Sequence, residues 1–399
     1  MKITSVEVLL VHTKLNYGGK DGVSRPWTPI LLRINTDEGI HGYGEVAMCY
    51  GVGATAGWGM AKDLAGMLIG RDPMDTERIW DDMMRKTFWG QGGGTAVFAG
   101  MSGIDMALWD IKGKALGVPV YKLLGGRCQE ALRVYASQIQ FGWGTEWVGQ
   151  ITPQQYAEAA LKAVEQGYTA IKVDLLEIDP SGGVKTIPLR GLQKQEVLRM
   201  GARRMEAIRL AVGEDVDIIV ENHGETDVSS AIQFGRMLEP YHVFFYEEPV
   251  SPLNPDMTAY VQEKLSIPLA AGERIYTRWG YLPFLRDRTL DVIQPDLGTC
   301  GGLSEGRKIA AMAHAYDVTV QAHVCGSPIA KAAALHFETA LPNFCIHEHH
   351  RSALMAGNIE LCEYDYQPEN GYYFAPELPG LGQELTDGAY RKADRVLIQ

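Results

Sequence analysis

Three glutamates carry the first chemical signal. Glu221, Glu247 and Glu273 close the apolar, strand-like runs of DIIVENHGE, VFFYEEP and PLAAGER, and they stand 26 residues apart twice over. A strand, a loop, a helix and a second loop use about that many residues in a β/α barrel, whose eight units fill roughly 250 residues. Three carboxylates at the C-terminal tips of consecutive parallel strands converge on one rim and repel one another. A hard divalent cation resolves the repulsion, and Mg²⁺ takes carboxylate oxygens together with water and substrate oxygens. The plain alternative is three acids that open three loops, since acids are common just ahead of helices.

The other strand ends extend the pattern. In chain order they carry Lys172 with Asp174, Glu221 with His223, Glu247, Glu273, Asp296, His323 and Glu348, and the later intervals are 23, 27 and 25 residues. Catalytic groups of β/α barrels sit at C-terminal strand ends, and a purely structural barrel has no need of an ionisable group at each tip. Singly, each residue has a plainer reading: His323 as a core histidine, Asp296 as a helix cap, Lys172 as a surface lysine. Jointly, Asp296 and His323 end neighbouring strands, so the carboxylate can bond one ring nitrogen and raise the basicity of the other. Lys172, inside TAIKVD, points into the barrel mouth. His347, His349 and His350 flank Glu348, but strand alternation sends His347 and His349 to the opposite face, and they read as structural.

These tips need elements to hold them. The first 35 residues predict two strands, ITSVEVLLVHT and TPILLRINT, and Asp37-Glu38-Gly39 turns the second into IHGYGEVAM. Helices follow over 57–69, 74–86 and 96–116, the last stopped by Gly117-Val118-Pro119. This is an α+β region. From Arg133 onward eight strands alternate with helical segments, which predicts a parallel closed barrel. The segment after FCIHE leaves the last helix in doubt, and PENGYYFAPELPGLG reads as an irregular tail returning to the first domain.

Composition bounds the partners. A length of 399 residues suits two or three domains, or one barrel with an appendage. A net charge of −12 argues against nucleic acid and anionic membranes, so an anionic substrate needs a local attraction such as a metal. The six cysteines form no CxxC pair and read as reduced thiols of a cytoplasmic protein. MKITSVEVLL lacks the apolar core of a signal peptide, and no run of about 18 apolar residues predicts a membrane span.

MSGIDMALWDIKGKALGVPVYKLLGG, then YEEP, GER, a QPD and a QAH in order, make the chain resemble the enolase superfamily, mandelate racemase subgroup, and within it sugar-acid dehydratases of galactonate dehydratase type. The resemblance implies an α/β fold: a (β/α)₇β TIM-like barrel over 131–365, an α+β capping domain over 1–130, and a segment over 366–399 that completes the cap. It implies one Mg²⁺ per subunit at Glu221, Glu247 and Glu273, a His323–Asp296 base pair, Glu348 on the substrate carboxylate (protonated or through a water), and a homo-oligomer between dimer and octamer. Two positions depart from the pattern. Glu221 stands where Asp is usual, and Asp174 stands where a second lysine would serve a two-base racemase. His223 matches the histidine that galactonate dehydratase-like members carry after the first ligand.

The implied reaction is removal of the C2 proton of a sugar acid by His323. Lys172 and Mg²⁺ stabilise the enediolate, His223 protonates the departing 3-hydroxyl, and a 2-keto-3-deoxy acid results. The alternatives are an epimerase or cycloisomerase that uses the same enediolate, and a sugar-acid binding protein without turnover. Substrate selection is expected from the cap loops, with Tyr17, Arg25 and Trp27 in one and 49–52 in another, and from Asp174.

Overall fold

The structure is a computed structural model that describes residues 1–18, 24–88, 90–184 and 186–399. Strand β1 (Ile3–Val11) is followed by a short ribbon of β2 (Asn16–Gly18) and β3 (Ser24–Pro26), then by β4 (Ile30–Thr36) and β5 (His41–Val46). β1, β4 and β5 form an antiparallel meander. Gly39, at φ 77°, supplies the left-handed position of the turn between the last two. Helices α1 (Ala54–Ala65), α2 (Thr76–Lys86) and α3 (Thr95–Leu116) bury one face of that sheet. Val6, Val8, Leu32 and Ile34 pack with Leu64, Met101, Ile104 and Leu108 in one core. α3 is buried almost all round, as its near-continuous apolar sequence requires. It lies so close that a Cβ on Gly44 would fall 1.9 Å from the Gly103 carbonyl oxygen.

A single turn, α4 (Val120–Leu123), leads into the barrel. There β6 (Leu132–Ala136), β7 (Ala170–Val173), β8 (Asp217–Glu221), β9 (Phe245–Glu247), β10 (Leu269–Ala271), β11 (Val292–Ile293), β12 (Thr319–Val320) and β13 (His347–His349) run parallel in that order, with β13 beside β6. The ring closes where Val320 N donates to Asn343 O and Cys345 N to Val320 O. Seven helices alternate with these strands: α5 (Pro153–Glu165), α6 (Gln195–Val212), α7 (Val228–Leu238), α8 (Pro255–Gln262), α9 (Thr277–Arg286), α10 (Gly302–Ala315) and α11 (Pro328–Thr339). The result is the expected (β/α)₇β barrel. After β13 no full-length eighth barrel helix follows among the described residues: the chain makes short helical turns over 351–354 and 356–359, and a six-residue helix (Asp387–Lys392) comes just before its last strand.

The tail is more regular than PENGYYFAPELPGLG suggests. β14 (Tyr372–Tyr373) pairs with β6, and β15 (Ala393–Ile398) joins the cap sheet antiparallel to β1, from Val6↔Ile398 to Val11↔Ala393. Lone strands such as ADRVLI carry half their residues exposed and no clean apolar period, so the partner β1 supplies what the local sequence does not.

Three contacts seat the cap on the barrel mouth. Glu45 of β5 is fully buried and accepts from Ser327 N and Oγ and from Ala330 N, at the N-terminus of α11. A carboxylate there satisfies orphan helix donors. Asp105 of α3 accepts from Ser304 N and Oγ at 2.9 and 2.6 Å. Gly298 brings the loop after β11 against the cap loop: Ala47 N donates to its carbonyl at 3.1 Å, and a Cβ on it would fall 2.5 Å from that of Ala47. Among the described residues, no helix is long and apolar enough to cross a membrane.

Candidate active site

The barrel interior is built in layers. Tyr135, Ala170, Ile219, Phe245, Ala270, Val292 and Ile346 form an apolar layer, one residue from each of β6 to β11 and one just ahead of β13. Residues two further along share its face. They are Ser137, Lys172, Glu221, Glu247, Gly272, Gln294 and Glu348, so a polar layer lies directly above the apolar one. This places Lys172 among acids: its Nζ is 3.0 Å from Glu221, 2.9 Å from Glu247 and 2.9 Å from Glu348. Burial lowers the lysine's proton affinity, but these carboxylates outweigh it and hold the pKa well above the usual value.

One ammonium cannot neutralise three carboxylates. Burial first, and then mutual repulsion, raise the pKa of Glu221 and Glu247 against the pull of Lys172. Glu221 Oε1 and Glu247 Oε2 are buried with no hydrogen-bond partner. Glu348 differs. Ser137 Oγ donates to its Oε1 at 2.8 Å and Val324 N to its Oε2 at 3.0 Å. Although burial raises it, Lys172, His323 and these donors hold it well below the ordinary carboxylate range. Both oxygens of Glu348 are thus engaged, by Ser137, Val324 N and Lys172.

Glu273 lies past the end of β10, because Gly272 takes the interior position: a Cβ there would fall 2.3 Å from the Gln294 backbone. Its two oxygens face Arg274, which also bridges to Glu248, and His323 Nε2 at 3.3 Å. His323 Nδ1 meets Asp296 Oδ2 at 2.7 Å, and Asp296 Oδ1 accepts from Gly298 N. Burial pushes the imidazole pKa down, but Glu273, Asp296 and Glu348 overcome it and hold it at about 10.

His223 reaches the same space by a route that strand alternation does not describe. β8 ends at Glu221, Asn222 turns to the outer face and donates to Tyr246 Oη, and His223 adopts φ 50°. Its Nδ1 is 3.5 Å from Asp174 Oδ2 and its Nε2 is 3.6 Å from Glu221 Oε2. Asp174 is a correction to the sequence reading. It is buried behind His223 and accepts from Leu176 N, so it backs the imidazole and does not face substrate. Among the described residues, the group that brings one ligand atom each within 4.8 Å of one another is Asp174, Glu177 and His223, and not the expected set of Glu221, Glu247 and Glu273.

A cavity of about 270 Å³ joins these groups. Lys172, Glu221, His223, Glu273, Asp296, His323 and Glu348 line it from the barrel, while Glu247 is buried against Lys172. The cap contributes 47–50, Val52 and Thr95. Trp27 is a second correction: it is buried in the core, where its indole finds apolar neighbours and its N–H donates to Cys49 Sγ at 2.9 Å, so it supports the lining residue Cys49. The side chains of Tyr17 and Arg25 lie outside the described residues; their backbones pair across the β2–β3 ribbon. Sequence reasoning missed Gln138, Trp147, Arg274 and His350, which also line the cavity. Arg274 was legible as the last letter of GER. His350 was grouped with its structural neighbours, of which His347 bonds Glu338 and His349 bonds Tyr168 on the outer face.

Residues 155–389 match the enolase C-terminal domain-like family, and residues 24–125 match the mandelate racemase/muconate lactonizing enzyme N-terminal domain. The chain belongs to the enolase superfamily. This superfamily member is 36% identical over 362 residues to the D-xylonate dehydratase of Haloferax volcanii, covering 90% of this chain and 83% of that protein. It is 34% identical over 377 residues to the D-galactonate dehydratase of Variovorax paradoxus, covering 92% and 91%. A crystal structure of an enolase superfamily member from Salmonella Typhimurium superposes with a TM-score of 0.95 at 56% identity, over 100% of both chains.

Proposed function

We propose that this chain is a Mg²⁺-dependent sugar-acid dehydratase that converts an aldonate or aldarate to its 2-keto-3-deoxy acid. The observation that carries the proposal is a pair of carboxylate-backed histidines on one cavity, Asp296–His323 at 2.7 Å and Asp174–His223 at 3.5 Å, with Lys172 and the glutamates between their strands. The chain is a hydro-lyase, and the curated relatives above carry dehydratase names.

Glu221, Glu247 and Glu273 have the donor chemistry for the metal, although they do not close into one set as they stand. Glu221 and Glu247 meet on Lys172 while Glu273 faces Arg274 and His323, and among the described residues the group with ligand atoms within 4.8 Å of one another is Asp174, Glu177 and His223. Two of them hold buried oxygens without partners, and the set carries more negative charge than Lys172 offsets. Hard oxygen donors of this kind suit Mg²⁺. When bound, the ion supplies positive charge facing the substrate carboxyl oxygens, where negative charge develops.

The side chains divide the remaining work. Asp296 fixes the His323 ring through Nδ1, so Nε2 faces the cavity and takes the C2 proton. A cation held by Glu273 would offset the largest attraction that raises the His323 pKa and so favour the neutral ring. The C–H electrons move into the carboxyl group, and the Lys172 ammonium stabilises the enediolate. The C3–O bond then breaks, and His223, backed by Asp174, gives its proton to the leaving oxygen. The enol product gains a proton at C3 to become the keto acid. Glu348 holds Lys172, Ser137 and the backbone of Val324 in place.

The test is product analysis. Purified protein with Mg²⁺ is incubated with a panel of aldonates and aldarates, and keto-deoxy acid is the expected product. A C2 epimer or a lactone as sole product would replace the dehydratase by an isomerase.

A further inference from the structure

Gln138 is one of the cavity residues that this chemistry leaves without a task. It follows β6 in the left-handed region, at φ 70°, a conformation glycine adopts far more readily than a residue with a side chain. Its side chain lines the cavity, and its amide oxygen is buried without a hydrogen-bond partner. The polar side chains beside it are committed. Ser137 Oγ donates to Glu348. Gln140 Nε2 donates to Glu177 at 2.7 Å, while Gln140 Oε1 accepts from Asp174 N at 3.1 Å. Native proteins leave few buried acceptors unpaired, and backbone strain in them gathers at ligand sites. Here both costs fall on one residue of the cavity lining, whose oxygen is closed to a water-sized group as it stands and comes to the cavity by a turn of its terminal amide.

Strand order indicates which part of a substrate it meets. β8, before His223, and β12, before His323, are each two strands from β6, and β10, before Glu273, lies opposite β6 across the ring. If the carboxyl end lies toward the glutamates of β8 to β10 and C2–C3 lies between the histidines, the rest of the carbon chain runs toward β6. Phe141 and Trp147, stacked with centroids 4.1 Å apart, line the cavity beyond the same strand.

We propose that Gln138 is a specificity-determining contact whose amide oxygen accepts a hydroxyl hydrogen from the sugar-acid chain beyond C3. The assignment rests on the dehydratase reading above. The experiment measures kcat/KM for keto-deoxy product on five- and six-carbon aldonates and on analogues lacking the hydroxyl at C4, C5 or C6. Gln138→Met keeps the length and loses the acceptor; Gln138→Gly loses the side chain and relieves the backbone. For wild type, one deoxy analogue is expected to be about 10–100-fold poorer than its parent, the range for an unpaired buried acceptor. Gln138→Met loses a similar factor on the parent and nothing further on that analogue. Gln138→Gly shows the same loss with Tm unchanged or raised, which a structural role for the side chain would not produce.

Losses that add on every analogue, or variants within twofold of wild type on every acid, overturn the proposal while leaving the dehydratase reading intact. If wild type forms no keto-deoxy acid from any panel member, that reading fails separately. Calorimetric titration of the same aldonates then reads the contact without turnover, and no difference in affinity between wild type and Gln138→Met overturns it.

Discussion

Replacing Lys172 by methionine tests the charge balance on which the site rests. Methionine keeps the unbranched stem and removes the ammonium. Each of the three carboxylates that Lys172 touches is about 3 Å away. At an effective dielectric of about 20, one such contact corresponds to roughly 5 kcal/mol of attraction. Desolvating the ammonium offsets much of that sum, and breaking buried pairs of this kind costs about 3–5 kcal/mol net. For a chain of 399 residues, with an unfolding entropy near 2.1 cal/mol/K per residue, this corresponds to a fall of about 4–6 °C in the metal-free protein. The carboxylates left behind repel one another more strongly and no longer share oxygens with an ammonium, so they should hold a cation more tightly. Calorimetric scans of wild type and Lys172→Met, each with and without Mg²⁺, make the comparison. The variant should be less stable without metal and gain more from Mg²⁺ than wild type does. A metal-free variant as stable as wild type, or one stabilised less by Mg²⁺, would refute the view that Lys172 and the ion offset the same charge.

Other outcomes follow from the same geometry. Chelation should abolish turnover and Mg²⁺ should restore it, and Glu247→Gln should bind Mg²⁺ more weakly by calorimetry with an unchanged circular dichroism spectrum. His323→Asn should lose exchange of the C2 proton in heavy water, and Asp296→Asn should slow it by about 10²-fold or more, since the ring loses its orienting partner. His223→Asn should lose keto-deoxy product and keep some C2 exchange, because proton removal by His323 does not use it; normal dehydration would take His223 out of the mechanism. His336, buried and stacked on Tyr121, has its pKa lowered by burial to about 4. A depressed histidine is stabilising above its unfolded pKa near 6.5, and that contribution is lost as pH falls toward 4, about 3 kcal/mol in all. Unfolding of His336→Gln should show that much less loss of stability across the same pH window.

The alternation of strands and helices was legible in the chain, because apolar runs, glycine stops and capping residues are local signals. So was the succession of ionisable strand ends from Lys172 to Glu348, since a barrel carries the last residue of each strand to one rim. Alternation also separates Glu348 from His347 and His349 without any tertiary information. What alternation cannot supply is the neighbour across the ring. Lys172 meets Glu221, Glu247 and Glu348 because their strands stagger into one layer. Asp174 backs His223 because the chain turns left-handed just after β8. Trp27 leaves the cavity for the core because a large indole gains most by burial there. Glu45 and the strand 393–398 owe their places to partners more than 280 residues away, Ser327 and β1. These arrangements depend on register and packing between distant segments, which only the closed barrel and its seated cap define.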